Sequence, residues 1–313
     1  MKKLDVIIVN WNSGKQLYEC IKSIANAEKE GLVIGKVVVV DNASADDSLS
    51  GIEDMELPLH VIKNPTNRGF ATACNQGAGV CTSDYLLFLN PDVVLFKDSL
   101  IEPVDFMEDK RNENIGIVGI QLVNEKGEIA RTCARFPTLG QFVSKIFGLD
   151  RLFPRLSHFM IEWDHKNNRI VDQVIGAFFL VRRELFQKLN GFDERFFVYF
   201  EEVDFSYRAK QLGYSSYYLT SAQAYHKGGG SSEKVKDMRL FYSLRSRILY
   251  GYKHFNWISA TILAFLTLVV EPITRVVFAT INRSSSDIRE ALKAYKMLWI
   301  YILRSLFIRG RLL

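Results

Sequence analysis

The stretch Val6-Ile7-Ile8-Val9-Asn10-Trp11-Asn12 joins four consecutive β-branched residues directly to a polar cluster. An uninterrupted apolar run of this kind is typical of a strand that is covered on both faces of a parallel sheet. The residues after the run contain no GxGxxG turn, which argues against a dinucleotide-dependent oxidoreductase. The stretch therefore predicts a buried strand that ends at a polar edge of the sheet.

Further apolar runs repeat this arrangement along the chain. The sequence predicts buried strands at residues 37–40 and 85–89, a shorter strand at 60–62, and later strands at 115–120 and 177–181. Stretches with helical spacing of apolar residues lie between the first four strands. This βαβ order predicts an α/β fold with an open, mostly parallel sheet and helices on both faces.

Three local patterns concern the helices and loops. Ser44 and Asp47 match a capping box, so a helix is expected to begin at Ser44. Residues 70–78, which are rich in small side chains, are expected to form another helix. Residues 135–168 are rich in Phe, Arg and His, and we interpret them as a long excursion that could shape an acceptor cleft.

Polar clusters follow the ends of the predicted strands. They are Asn10-Trp11-Asn12, Asp41-Asn42, Asn67-Arg68 and Asn90-Pro91-Asp92. Any one of them could be ordinary turn chemistry, because Asn, Asp, Gly and Pro dominate turns. Ligands of open α/β sheets bind beyond the carboxyl ends of the strands, where all four clusters are expected to lie. The carboxylate of Asp92 could hold Mg²⁺ or Mn²⁺ there, since both ions accept oxygen ligands.

An acidic segment with aromatic neighbours is a second candidate for chemistry. It contains Glu201, Glu202 and Asp204, and its aromatic neighbours are Phe196, Phe197, Tyr199, Phe200 and Phe205. Mutual repulsion and apolar surroundings both raise the pKa of a carboxyl group, which is how a general base is tuned. The alternative is a solvated acidic helix start that the helix dipole favours.

His226 is followed closely by the three glycines 228–230. Glycines allow backbone amides to approach phosphate groups, so a ligand or phosphate contact is expected for His226. A histidine that is merely structural or exposed is the alternative.

Charge is distributed unevenly along the chain. Residues 1–235 carry 27 Lys/Arg against 31 Asp/Glu, whereas residues 236–313 carry 13 against 4. We therefore divide the chain into a body, residues 1–235, and a basic tail, residues 236–313, suited to an anionic surface. The four cysteines lack metal-like spacing and indicate reduced thiols of a cytosolic protein. The first residues are not expected to act as a signal peptide, because polar residues interrupt a short apolar run, and a cytoplasmic location is expected.

The tail contains two apolar stretches, residues 257–270 and 298–308. A spanning helix needs about 20 predominantly apolar residues, and Glu271 and Arg275 interrupt the first stretch. We expect two helices that lie on an anionic membrane surface, and no nucleic-acid binding, because no nucleic-acid motif is present. A helical subdomain packed on the body or against a second copy, as in a homodimer, is one alternative. A re-entrant or spanning hairpin is the other.

These segments together resemble the family 2 inverting glycosyltransferases of the GT-A fold. The resemblance is closest to the rhamnosyltransferase-like branch, which builds bacterial surface polysaccharides. It covers about residues 4–232 and follows the family's order of motifs. The matching segments are the four polar clusters, Gly69-Phe70-Ala71, Asn75, residues 191–197, the acidic segment and His226.

The resemblance implies a role for each matched residue. The donor would be bound by Asn10, Asp41, Arg68, Asn75 and Asn90, and a divalent cation, Mg²⁺ or Mn²⁺, by Asp92 and His226. Glu202 would be the catalytic base, supported by Glu201, Asp204 and Arg208. The chain departs from the family pattern twice: Asn90 replaces the first Asp of the Asp-x-Asp motif, and Glu202 stands where Asp is usual.

The resemblance also implies a reaction. A sugar would move from a nucleotide diphosphate donor, with inversion, to a growing glycan on a polyprenyl diphosphate carrier at the cytoplasmic face of the membrane. It favours dTDP-rhamnose as the donor and leaves UDP-galactose, UDP-glucose and UDP-N-acetylhexosamines as alternatives. The substitutions at Asn90 and Glu202 leave a different class open, a membrane-bound binding or scaffold protein with a decayed site.

Overall fold

The computed structural model describes residues 2–228 and 235–309, which form two compact units. Unit 1 contains residues 2–136, 163–197 and 201–228 of the described chain. Unit 2 contains residues 137–162, 198–200 and 235–309. The C-terminal residues therefore share a compact unit with two segments from the middle of the chain.

Unit 1 is built on a nine-stranded mixed sheet and a two-stranded sheet. In chain order the strands are β1 (Lys2–Asn10), β2 (Leu32–Asp41), β3 (Leu59–Lys63), β4 (Tyr85–Leu89), β5 (Val93–Leu95), β6 (Ile115–Val123), β7 (Cys133–Ala134), β8 (Arg169–Val171), β9 (Gln173–Val174), β10 (Phe178–Arg182) and β11 (Ser215–His226). Within the described residues, the large sheet has the order β3-β2-β1-β4-β10-β6-β11-β5, and β8 pairs with β11. Strands β7 and β9 form the small sheet.

The helices in chain order are α1 (Lys15–Asn26), α2 (Phe70–Gly79), α3 (Ile101–Glu108), α4 (Leu139–Ile146), α5 (Leu149–Leu152), α6 (Arg183–Lys188), α7 (Glu201–Gln211), α8 (Lys236–His254), α9 (Trp257–Phe265), α10 (Glu271–Ile281) and α11 (Ser285–Arg309). The π-helical segment Leu266–Val270 joins α9 to α10. Helices α1, α2, α3, α6 and α7 belong to unit 1, and the others belong to unit 2.

The first half of the large sheet is parallel, as the sequence predicts. Strand β1 pairs in parallel with β2 and with β4, and β2 pairs in parallel with β3. The other half is mixed, because β10 runs antiparallel to both β4 and β6. A fully buried apolar run carries no mark of strand direction, so the sequence could not show this reversal. Helices cover both faces of the sheet.

Small side chains allow α2 to approach the sheet closely. A Cβ atom added at Gly77 would lie 2.5 Å from the Cγ2 atom of Ile7 in β1. Ala71 and Ala73 are also buried on this helix. The helix predicted over residues 70–78 is therefore confirmed, and its small residues are explained by this close contact with the sheet.

The helix expected to begin at Ser44 is absent, and residues 45–51 form turns and irregular backbone instead. The Ser44 hydroxyl oxygen accepts hydrogen bonds from the backbone N–H of Asn12, at 3.0 Å, and the side-chain amide of Asn10, at 3.1 Å. Ala43 has a left-handed φ of 63°. The capping-box prediction was wrong because the side chain of Ser44 bonds to the end of β1 rather than to a following helical turn.

Unit 2 is helical. Its core contains Leu244, Ile248, Ala264, Tyr295 and Leu298, from α8, α9 and α11. Part of the excursion predicted at residues 135–168 lies in this unit as α4 and α5. The sequence could not show that these segments join the C-terminal helices, because the contacts are distant along the chain.

The helical stretch Trp257–Ile281 contains an 18-residue segment with a mean hydropathy of 2.0. By length and composition alone it could cross a membrane, and it is the one such stretch in residues 2–228 and 235–309. Many of its large apolar side chains are exposed, namely Trp257, Ile258, Ile262, Phe265, Val269, Ile273, Val277 and Ile281. We call these eight residues the apolar stripe. The opposite face carries Glu271, which is 2% exposed and ion-paired.

Candidate functional site

The ends of β1 and β2 are joined through Asn10 and Asp41. These two residues are partners in the parallel register, and the Asn10 side-chain amide donates to Asp41 Oδ1 at 2.7 Å. Asn10 also donates to the hydroxyl of Ser48 at 2.8 Å and accepts a hydrogen bond from Ser13. Asn10 is fully buried and Asp41 is 6% exposed. Asn10 therefore positions the carboxylate of Asp41 at the edge of the sheet.

Asn42 connects the end of β2 to the loop before α2. Its side-chain nitrogen donates to Asn67 Oδ1 at 3.0 Å and to the Gly69 carbonyl at 3.1 Å. Its side-chain oxygen accepts from the backbone N–H of Arg68 at 3.0 Å. The sequence reasoning did not include Asn42 among the site residues, although its place directly after Asp41 at a strand end was a usable signal. The side chain of Arg68 is exposed and could reach a bound ligand.

Gly69 lies where the loop meets another part of unit 1. Its φ is +87°, and a Cβ atom there would be 2.6 Å from the carbonyl oxygen of Phe197. The next backbone N–H, that of Phe70, donates to the same carbonyl at 2.6 Å. Only glycine fits both the left-handed backbone and this contact. Phe197 is thus held against the start of α2.

Asp92 and His226 lie together at the edge of the sheet. Strand β11 pairs antiparallel with β5, and His226 is the register partner of Val93. The distance from His226 Nε2 to Asp92 Oδ1 is 3.4 Å, and the two side chains are 12% and 10% exposed. The two residues that the resemblance assigns to one metal site therefore lie side by side, and their metal-binding role stays a prediction.

This pair can provide part of a cation site. Carboxylate oxygen and imidazole nitrogen together suit Mn²⁺, whereas Mg²⁺ prefers oxygen alone. In the described part of the chain, no group of three or more His, Cys, Asp and Glu residues is arranged to hold a metal. The residues fit a cation that takes its remaining ligands from a bound diphosphate and water. The glycines 229 and 230 after His226 lie outside the described residues.

Asn90 lies at the end of β4. Its backbone N–H donates to the carbonyl of Ala177 at 2.9 Å, and its carbonyl accepts a hydrogen bond from the thiol of Cys20. Its side chain is half-buried. Burial, followed by the charge of Asp92, raises the pKa of the Cys20 thiol. All four cysteines of the chain are buried and free.

The acidic segment forms the first turn of α7. Glu201 is 5% exposed, and burial, followed by the neighbouring charge of Glu202, raises its pKa well above the ordinary value. This confirms for Glu201 the shift that the sequence predicts. Glu202 is half-buried, so it is more accessible than its neighbour. Tyr199 and Phe200 precede the helix with φ angles of 67° and 72°, a strained backbone of the kind that occurs at functional sites.

Asp204 and Arg208 form a buried ion pair one turn further along α7. The Nε atom of Arg208 lies 2.8 Å from Asp204 Oδ2, and Asp204 is fully buried. The same guanidinium donates to the carbonyls of Leu189 and Gly191 at 2.8 and 2.9 Å. This pair therefore fixes α7 to the loop at residues 189–194, and the supporting role of both residues in catalysis stays a prediction.

Asn75 binds the same loop from α2. Its side-chain nitrogen donates to the carbonyl of Phe192 at 2.9 Å and to Glu194 Oε1 at 3.0 Å. Its side-chain oxygen accepts from the backbone N–H of Phe192 at 2.9 Å. These contacts are with the protein itself, and the donor-binding role of Asn75 stays a prediction. Apart from Arg68 and Asn75, the predicted residues thus form three groups, at the ends of β1 and β2, around Asp92 and His226, and in α7.

Residues 5–190 match glycosyl transferase family 2. The chain is 28% identical over 171 residues to the rhamnosyltransferase WbbL of Escherichia coli K12, an alignment that covers 53% of this chain and 61% of WbbL. It is 25% identical over 274 residues to the N-acetylglucosaminyl-diphospho-decaprenol L-rhamnosyltransferase of Mycobacterium tuberculosis, covering 81% of this chain and 86% of that protein.

Solved structures show the same fold. The mannosyltransferase PcManGT of Pyrobaculum calidifontis, in complex with GDP-Man and Mn²⁺, superposes with a TM-score of 0.54 at 15% identity, covering 98% of this chain and 81% of that one. Residues 1–349 of S. aureus TarS superpose with a TM-score of 0.52 at 16% identity, covering 95% and 92%. The fold is therefore GT-A, as the sequence resemblance implies.

Proposed function

Because the chain belongs to glycosyl transferase family 2 and to its rhamnosyltransferase-like branch, we propose that it is an inverting glycosyltransferase. It moves a sugar from a nucleotide diphosphate donor to a lipid-linked glycan in the synthesis of a surface polysaccharide. We place dTDP-rhamnose first among the donors, since two of the similar proteins are rhamnosyltransferases.

The juxtaposition of Asp92 and His226 at the edge of the sheet carries this proposal. Their 3.4 Å separation provides a carboxyl and an imidazole ligand at the place where open α/β sheets bind nucleotides. A cation held there would neutralise charge on the diphosphate as it leaves. The cation is Mg²⁺ or Mn²⁺, and Mn²⁺ is present in the PcManGT complex.

The donor-binding residues lie on the same edge of the sheet. Asp41 contacts the base or ribose of the donor, and its orientation is set by the hydrogen bond from Asn10. Arg68 offers an exposed positive charge to the donor, and Asn90 offers a neutral amide beside Asp92. Asn75 acts through the loop at residues 189–194, to which its side chain is bonded.

Glu202 is the general base. Its carboxylate removes the proton from an acceptor hydroxyl, whose oxygen attacks the anomeric carbon from the face opposite the diphosphate. The bond from the anomeric carbon to the diphosphate oxygen breaks, and the configuration at that carbon is inverted. Glu201 is buried and its pKa is raised, so the more accessible Glu202 is the better placed of the two to meet an acceptor hydroxyl. Asp204 and Arg208 hold the helix in place.

The acceptor is a glycan on a polyprenyl diphosphate carrier. The name of the mycobacterial relative describes a diphospho-decaprenol substrate, which supports this class. The apolar stripe supports a peripheral position on the cytoplasmic face of an anionic membrane, because exposed apolar side chains gain free energy when they enter lipid. A re-entrant position for Trp257–Ile281 and a homodimer stay alternatives.

Two alternatives concern the donor and the class of protein. A UDP-hexose or a UDP-N-acetylhexosamine would use the same residues and the same chemistry. A decayed binding or scaffold protein would keep the fold and lose turnover, because Asn90 and Glu202 depart from the family pattern.

Nucleotide release from a panel of dTDP- and UDP-sugars tests the proposal. The assay uses the full chain with a crude lipid-linked acceptor, with MnCl₂ or with EDTA. We expect release from one donor that depends on the acceptor and is lost in EDTA. Absence of release from every donor, from a folded protein, would instead favour the decayed scaffold.

A further inference from the structure

Unit 2 contains a cluster of basic side chains around the buried ring of Phe142 in α4. The guanidinium of Arg247 in α8 lies 5.6 Å from the centre of this ring, and the imidazole of His158 lies 6.3 Å from it. Lys145, one turn after Phe142, places its ammonium 5.7 Å from the ring of Phe159. The ring of Phe159 in turn lies 4.0 Å from that of His158.

Three cations of the cluster, Lys145, Arg247 and Arg275, are opposed by two carboxylates, those of Glu271 and Asp150. Arg247 and Arg275 share the single carboxylate of Glu271, Arg247 through a short contact to Oε2 and Arg275 at 2.8 Å to Oε1. Arg247 also donates to Thr267, and its Nε atom is buried with no hydrogen-bond partner among the described residues. A buried guanidinium N–H without a partner is costly, which indicates that an additional acceptor can bind there.

The positive potential of the cluster is visible in its other members. Desolvation of the ammonium by nearby protein lowers the pKa of Lys145, and the charges of Arg247 and Arg275 lower it further. Burial, then the charges of Lys145 and Arg247, lower the pKa of His158 to about 3, so this imidazole is neutral at pH 7. The cations therefore repel one another in the ligand-free chain, and a bound anion would relieve this repulsion.

The cluster is open on one side. Arg247 is 4% exposed, whereas the side chain of Arg275 is 36% exposed and Lys145 is an exposed residue. A ligand can reach Lys145 and Arg275 from solvent, and the unpaired N–H of Arg247 lies deeper. This order of exposure suits an oxyanion with several oxygens, such as a diphosphate.

Unit 2 also contains an apolar cavity of about 160 Å³. Its walls come from α8, from the helical stretch at residues 257–281 and from α11, and include Ile248, Ala264, Leu268, Leu298 and Ile302. Helix α8 carries both Arg247 and Ile248, and the helical stretch at residues 257–281 carries both Arg275 and Leu268, so two of the three cations share helices with the walls of the cavity. A ligand with a diphosphate and a hydrocarbon chain matches this combination.

We propose that Lys145, Arg247 and Arg275 form a binding site for the diphosphate of the lipid-linked acceptor, with its first isoprenoid units in the apolar cavity. This inference rests on the proposed function, since it names the part of the chain that holds the carrier. It assigns unit 2 a specific ligand, in addition to a general affinity for membranes.

Binding of farnesyl diphosphate to the full chain in EDTA tests the proposal by calorimetry. Without a divalent cation, diphosphate binding at Asp92 and His226 is disfavoured. We expect Lys145→Gln and Arg275→Gln each to weaken binding about tenfold or more, as the loss of a charge-assisted hydrogen bond implies. Lys145→Arg should retain most of the affinity, because it keeps the charge.

Lys293→Gln is the matched control, since Lys293 is an exposed cation of the same unit. Thermal unfolding of each variant excludes a folding defect, and Lys145 can be replaced without breaking any ion pair of Glu271. Equal affinity of the wild type, Lys145→Gln and Lys293→Gln would overturn the proposal. Loss of binding to phosphatidylglycerol vesicles in Lys145→Gln, with farnesyl diphosphate affinity unchanged, would also overturn it and assign the cluster to phospholipid headgroups.

The proposed reaction and this site can fail separately. Farnesyl diphosphate binding that depends on Lys145, in a protein that transfers no sugar, would support the site and contradict the reaction. Sugar transfer by a protein whose affinity for farnesyl diphosphate is unchanged in Lys145→Gln would support the reaction and contradict the site.

Discussion

The carboxylate of Asp92 lies 3.4 Å from the imidazole of His226, although the two residues are far apart in the sequence. Pairing of β5 with β11 produces this contact, because it aligns His226 with the residue after Asp92. Both side chains are largely buried, so a cation between them would be shielded from bulk water. This arrangement leads to the first prediction.

Asp92→Ala should weaken donor binding in MnCl₂ by about 10- to 100-fold, the loss that disturbed metal sites commonly show. In EDTA the variant and the wild type should bind the donor equally. Titration calorimetry with a nucleotide sugar measures both values. Asp84→Ala is the control, because Asp84 is an exposed carboxylate just before the other end of the same strand. Unchanged affinity of Asp92→Ala in MnCl₂ would remove Asp92 from the site.

Glu202→Gln should lower kcat by about 10²- to 10⁴-fold, since a general base contributes a factor of this size. Donor affinity should change little, because the base contacts the acceptor. Steady-state nucleotide release gives kcat, and calorimetry gives the donor Kd. Glu184→Gln provides a matched change in the first turn of another helix of unit 1 and should leave both values unaltered. Turnover retained by Glu202→Gln would place the base elsewhere.

Glu201 should make stability depend on pH. Its pKa in the folded chain is raised above the unfolded value near 4.5, so the folded state holds the proton more tightly. The stability that this proton contributes is present below pH 4.5 and is lost as the pH rises toward the folded pKa. The Tm of Glu201→Gln relative to that of the wild type should therefore be higher at pH 8 than at pH 5. We expect this change to be a few degrees, at about 2–4 °C per kcal/mol. A difference in Tm that is constant or shrinks with rising pH would contradict the raised pKa.

Gly69→Ala should destabilise the protein by about 1–3 kcal/mol, the range for a strained backbone residue. The added Cβ atom meets the carbonyl oxygen of Phe197, and the φ of +87° disfavours any side chain. Gly79→Ala, at the other end of α2, is the matched control, because a Cβ atom there contacts nothing within 4 Å. Urea denaturation compares the two variants. Equal urea midpoints of Gly69→Ala and Gly79→Ala would show that the contact between Gly69 and Phe197 does not stabilise the fold.

The apolar stripe should be required for membrane binding. Phe265→Asp and Ile273→Asp each place a charge at an exposed apolar position, so less protein should float with anionic vesicles. Ile170→Asp introduces the same charge at a 60% exposed apolar residue of unit 1 and should float like the wild type. Equal flotation of all four proteins would exclude the stripe as the membrane contact.

Local patterns predicted much of unit 1 and little of unit 2. The runs at residues 6–9, 37–40 and 85–89 became buried strands, because continuous β-branched and apolar residues suit a covered sheet. The capping box at Ser44 misled, since a side chain that can cap a helix can equally bond to a distant strand end. The association of residues 137–162 with the C-terminal helices depends on distant contacts that leave no local pattern.

The sequence predicted some of the contacts within the candidate site and not others. Strand order explains why Asn10 and Asp41 meet, because they end adjacent parallel strands. Proximity of Asp92 and His226 followed from the family resemblance alone, since their spacing in the sequence carries no metal-binding signature. The amide contacts of Asn42 and Asn75 appear only in the structure, because they join loops that the sequence does not place together.

The configuration of the transferred sugar tests the central claim most directly. The full chain is incubated with dTDP-rhamnose, MnCl₂ and a polyprenyl-diphosphate-linked acceptor, and NMR determines the anomeric configuration of the product. We predict a glycosylated lipid whose anomeric configuration is opposite to that of the donor. A product with the donor's configuration, or no product from any dTDP- or UDP-sugar, would contradict an inverting glycosyltransferase.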